Sequence, residues 1–244
     1  MSAYSAPPSV IELPETLETA VVQSAYDELR PDSVLEAFLP EKNYIRGDGT
    51  FRLEAANADY SKIFLPTVPE KNRMYLQQAA DAVDYLITDD PRISLGYSAK
   101  LDAIIYNPHH PMFARQDWDT AITHDLAHRI DRWFVNSSEV DAFKKAIKAV
   151  QTVSPENWEK IVEYCQEKDR EGFLSDTIDA LCESQYKLPF WHGKAYWTDA
   201  RKAREIFANL FSLEAVGDME KISFLKRCFP DLMKTFDGLD FALR

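Results

Sequence analysis

The chain has 244 residues, 45% hydrophobic and 12% aromatic, enough for one sizeable packed core or two small ones. A formal charge of −12, from 40 acidic and 28 basic side chains, leaves no basic patch to neutralise phosphates and argues against broad nucleic-acid or anionic-membrane binding. No apolar window approaches the ~18 residues of a membrane span, the first residues lack the basic and apolar regions of a signal peptide, and Cys165, Cys182 and Cys228 form no C-x-x-C pair, so a cytoplasmic or virion-associated protein with reduced cysteines is expected.

In chain order, residues 1–14 hold three of the thirteen prolines and read as an extended lead-in. Helices are expected at 15–29 and 32–39, and the turn at Gly47 and Gly49 between aromatic-rich segments predicts a small hairpin. The run 71–87, rich in Ala, Gln and Leu, predicts a helix that stops before Pro91. The β-branched runs 93–97 and 101–106 are the best strand candidates. A rigid loop follows, carrying His109 and His110 between two prolines. Asp117 is placed to cap a helix reaching about Phe134, and Ser138 with Asp141 approximates a capping box for the next helix, with Val140, Phe143, Ile147 and Val150 on one face. Ser154 and Pro155 supply an N-cap and a first-turn proline for a helix that buries Trp158, Ile161, Val162 and Cys165. Further helices are expected at 174–182, at 200–215 behind a cap at Asp199, and at 219–236 as two pieces split by Pro230. The fold expected is α+β and mostly helical with a small β-sheet, a helical region over 1–90 packing on a core over 91–244.

The chemistry concentrates in Thr123-His124-Asp125-Leu126-Ala127-His128-Arg129-Ile130-Asp131. Residues four apart on a helix share a face, so His124 and His128 can aim at one atom, and zinc is the natural ion. Ile122, Leu126, Ile130 and Trp133 group on the opposite face, while the histidine face carries only Ala121, Ala127 and Asp131. Histidines serving the core belong among the large apolar residues instead. A catalytic zinc needs a third protein ligand and an open position. Glu205 is the best candidate, and Asn209, at i+4 on its helix, shares its face and can orient a ligand from behind.

The octet from His124 to Asp131 resembles the H-E-x-G-H-x-I-D pattern of a metallopeptidase-like domain of phage minor head proteins. Three later stretches are similar to that family's S-D-I-x-x-A-L, G-H-x-x-x-Y-W and E-x-F-A-N-x-F-S blocks, in the same order: Ser175 to Leu181, His192 to Trp197 and Glu205 to Ser212. The likeness spans about residues 93 to 216. The catalytic domain of anthrax lethal factor is a more distant likeness. The resemblance implies a zincin-like fold and a zinc ion on His124, His128 and Glu205. It also implies Asp125 as general base, Tyr196 or His192 as oxyanion stabiliser, and Asp176 beside Asn209 in the layer of groups behind the ligands. The implied reaction is hydrolysis of a protein or peptide substrate, with phage structural proteins as partners and neither nucleic acid nor membrane involved.

This chain departs from the pattern at Asp125, where the family has Glu, and at Ala127, where it has Gly. Aspartate is shorter by roughly 1.5 Å, and misplacing a catalytic group by about 1 Å costs on the order of 100-fold in rate. Zinc binding with weak or absent catalysis, as in a structural or binding protein of a phage particle, is therefore a second expectation. A third is a metal phosphohydrolase of the HD type, using His109 or His110, the His124-Asp125 dyad, and Asp176 or Asp179. That arrangement leaves His128 and the Glu205 block without a role.

Overall fold

The computed structural model describes residues 54–55, 70–88, 90–91, 93–99, 101–107, 109–111, 118–169 and 172–241. The helices expected at 15–29 and 32–39, the glycine turn at Gly47 and the cap at Asp117 lie outside these residues. The chain parts into two units that interleave along the sequence, one containing Val83–Arg115 and the other Tyr60–Ala82 together with Gln116–Arg244.

The first unit holds a sheet of β1 (Glu54–Ala55), β2 (Asp84–Ile87), β3 (Leu95–Ser98) and β4 (Ala103–Tyr106), in the order β1-β2-β4-β3. β2 and β4 run parallel, and the outer pairs are antiparallel. Both expected strands form, as a hairpin with Gly96 opposite Ile105, and Asp102 takes a left-handed conformation (φ 48°) in its turn. All four residues of β4 are buried, as befits a strand whose neighbours occupy both edges. The helix expected over 71–87 instead ends at Ala82, and its last residues form β2. Tyr85, Leu86 and Ile87 suit a pleated surface, and ladder pairing with Ile104, Ile105 and Tyr106 outweighs a local helical preference worth only tenths of a kcal/mol per residue.

The second unit is helical: α1 (Glu70–Ala82), α2 (Trp118–Ile130), α3 (Asp141–Ala149), α4 (Pro155–Lys168), α5 (Phe173–Cys182), α6 (Asp199–Ala215), α7 (Met219–Cys228) and α8 (Pro230–Asp237). The protein is thus α+β and mostly helical with a small sheet, and among the described residues no helix is long and apolar enough to cross a membrane. At the centre of this unit, α6 packs against α2 and α5. It buries Ile206, Phe207, Leu210, Phe211 and Leu213, with the Phe207 ring 5.8 Å from those of Phe211 and Phe236. Each such side chain contributes roughly 1.5–3 kcal/mol by leaving water.

Several helix starts differ in detail from expectation. Thr198, not Asp199, caps α6, its Oγ1 accepting from Arg201 N at 3.2 Å, while Asp199 pairs with Lys148 and Lys202. No capping box precedes α3, because Ser138 donates to Asn136 Oδ1. The Ser154 cap and the split at Pro230 are as expected. Behind α2 the chain widens into a π-turn, Asp131–Val135, closed by Asn136 in the left-handed region. Asp131 ties this turn down by accepting from Ser137 N and Oγ at 2.7 and 2.8 Å. The wider turn breaks the 3.6-residue phase. Ile122, Leu126 and Ile130 are fully buried, but Trp133, expected on the same stripe, is 37% exposed.

Candidate metal centre

α2 carries His124 and His128 one turn apart, with their rings edge to face and centroids 4.6 Å apart. Their Nε2 atoms are 3.0 Å from each other. Glu205, from α6, completes a triangle, its Oε2 lying 3.5 Å from His124 Nε2 and 3.3 Å from His128 Nε2. Donors at about 2.0–2.1 Å around a tetrahedral zinc lie about 3.3–3.4 Å from one another. All three edges of the triangle are within a few tenths of an ångström of that spacing. The three expected ligands therefore meet. About a fifth of each of the two histidine side chains is exposed, 20% and 19%.

Two imidazole nitrogens and a carboxylate oxygen held this close need a proton or a metal ion among them. Burial opposes a charged imidazole at His128, but Glu205, followed by Asp125 and Asp131, outweighs burial and lifts its pKa to about 8. Burial likewise opposes the charge on Glu205, yet the two histidines hold its carboxyl well below the usual range. The site thus favours neighbouring positive charge. Phe173 stacks on the His124 ring at 5.8 Å, and His124 Nδ1 is buried with no hydrogen-bond partner among the described residues. Metal-bound imidazoles usually donate that second N–H to an acceptor. His124 has the stacked Phe173 ring beside it and no such acceptor among the described residues. Asp125 is buried on α2, close enough for its charge to act on His128.

The opposite wall is a loop ending in the short turn Lys194–Tyr196. Tyr196 donates its hydroxyl to Glu205 Oε1 at 2.5 Å, so both oxygens of the Glu205 carboxylate have partners. Burial and then the Glu205 charge push the phenol's pKa well above its ordinary value, so the proton stays on Tyr196. The His192 ring stacks on Tyr196 at 4.0 Å and sets its Nε2 3.0 Å from Asp176 Oδ1. Burial opposes the imidazolium, but Asp176, then Glu205 and Asp179, outweigh it and lift His192 to about 9. Asp176 Oδ2 accepts from Asn209 Nδ2 at 2.7 Å, which joins the two residues expected behind the ligands.

Two features that hold this loop are not singled out by the sequence for that task. Asp179 Oδ2 accepts from His192 N at 2.9 Å, Ser184 Oγ at 3.0 Å and Trp197 Nε1 at 3.2 Å. Gly172, at φ +98°, lies so close to Phe190 that a Cβ there would meet the ring at 2.8 Å. α5 offered a signal, because Asp176 and Asp179 sit in a helix whose ten residues are all buried, and buried carboxylates need partners. Among the described residues, two groups bring three ligand atoms within 4.8 Å of one another: His124, His128 and Glu205, and Asp176, His192 and Glu205. His109 and His110 belong to neither group.

No protein-family profile matches this chain, and comparison with curated proteins and with solved structures finds no significant match.

Proposed function

We propose that this protein is a zinc-dependent, metallopeptidase-like hydrolase that holds its ion on His124 Nε2, His128 Nε2 and Glu205 Oε2. The observation that carries this reading is the triangle of 3.0, 3.3 and 3.5 Å among those atoms, the spacing of three ligands around one tetrahedral ion. Zinc would supply Lewis acidity, polarising a carbonyl and lowering the pKa of water. Every other task falls to the chain. α2 and α6 fix the ligands on rigid elements, and Tyr196 fixes the plane of the Glu205 carboxylate by donating to Oε1. Asp125 follows the first ligand and serves as the proton acceptor. Tyr196, whose one hydroxyl proton is taken up in the hydrogen bond to Glu205, orients that ligand and does not stabilise an oxyanion in this arrangement. The order of the four sequence blocks supports a protein or peptide substrate and a phage-associated setting.

The short, buried side chain of Asp125 favours a second reading, a protein that keeps its metal and has little catalytic power. Zinc-loaded wild type, Asp125→Glu and Asp125→Asn separate the two on an unstructured protein substrate. A hydrolase gains activity with Glu and loses it with Asn, while all three proteins retain zinc. Zinc retention without cleavage by any of the three leaves the binding protein.

A further inference from the structure

Beside the zinc triangle, Asp176, His192 and a carboxylate oxygen of Glu205 form the second group whose ligand atoms lie within 4.8 Å of one another. His192 Nε2 and Asp176 Oδ1 are 3.0 Å apart, at ion-pair distance, and apart from His192 no donor meets the buried Oδ1. Two donor atoms this close, with a Glu205 oxygen beside them, can face one cation in place of each other. The surroundings are arranged as they are behind metal ligands: Asn209 holds the other Asp176 oxygen at 2.7 Å, and Asp179 anchors the His192 backbone N at 2.9 Å.

We infer that the site holds two cations, the second on Asp176 Oδ1, His192 Nε2 and Glu205, with the Glu205 carboxylate shared between them. One nitrogen and two oxygen donors suit a divalent first-row ion such as zinc or manganese. A shared carboxylate is also what pairs ions in two-metal hydrolytic centres. With Tyr196 on Oε1, the shared group already has its plane fixed. The inference rests on the proposed zinc triangle, since Glu205 serves both positions.

The test is zinc stoichiometry of the full chain after equilibrium dialysis, read by elemental analysis in wild type, His192→Ala and Asp176→Asn. His192 is 38% exposed, so its truncation leaves the core intact, and Asp176→Asn preserves side-chain shape and serves as the second variant. Wild type should bind one more ion per chain than either variant. Ions held loosely by the acidic surface are common to all three proteins and cancel in that difference. Equal stoichiometry of one in all three overturns the second position and leaves the triangle standing. No ion in any of them overturns both. Two ions retained by either variant places the second ion elsewhere and also overturns the inference.

Discussion

The two walls of the site are built differently. His124, His128 and Glu205 stand on α2 and α6, where hydrogen-bonded helix and a buried aromatic core fix every backbone position. His192 and Tyr196 stand on a loop held at a few points: the Asp179 carboxylate, the Phe190 ring over Gly172 and the stacked pair of rings. The helical wall would set which ion the proposed site accepts, because its three donor positions are fixed by the two helices. The loop wall orients the Glu205 carboxylate through Tyr196, and it can be loosened without dismantling the helices.

Removing a ligand from the helical wall should give the largest effect. His128→Ala leaves two donors in the triangle, and zinc held there should be lost outright, as read by competition with a chelator. pH comes next. Zinc needs a neutral imidazole, and His128 titrates near 8 because Glu205 and its neighbours overcome burial, so the proton competes at every pH below that value. Zinc affinity should fall on the order of tenfold per unit as pH drops from 8 to 6. Chelator titrations showing constant affinity across that range would mean His128 does not bind the ion.

The loop wall should respond more mildly. Tyr196→Phe keeps the buried ring and deletes the hydroxyl on Glu205 Oε1, and losses of this kind cost about 10–100-fold in metal affinity. Unchanged affinity would show that the helices alone orient Glu205. Gly172→Ala places a Cβ against Phe190 in a left-handed conformation, and thermal unfolding should report a loss of about 1–3 kcal/mol. Its zinc affinity should fall no further than that of Tyr196→Phe, because the helix-borne ligands are untouched.

The same contrast explains what was legible in the sequence. The His124–His128 pair needs only helical periodicity, which is local, whereas Glu205 is reached as the third donor that the pair lacks and is matched again by an ordered set of blocks. Asn209 and Asp176 were both expected near the ligands, but their mutual bond spans 33 positions and no local pattern encodes it. Asp179 acts through a loop that returns to it thirteen residues later at His192, a contact fixed only by the tertiary fold. β2 was read as the end of a helix because its partner, β4, lies beyond two turns. Trp133 left its stripe because a π-turn intervenes, and nothing in the residues 131–135 themselves announces one.

The most direct test of the proposed ion is an anomalous difference map at the zinc edge from crystals of the zinc-loaded protein. A peak about 2.0–2.2 Å from His124 Nε2, His128 Nε2 and Glu205 Oε2 is the expected result. No peak inside that triangle, or a Glu205 side chain turned away from both histidines, would contradict it.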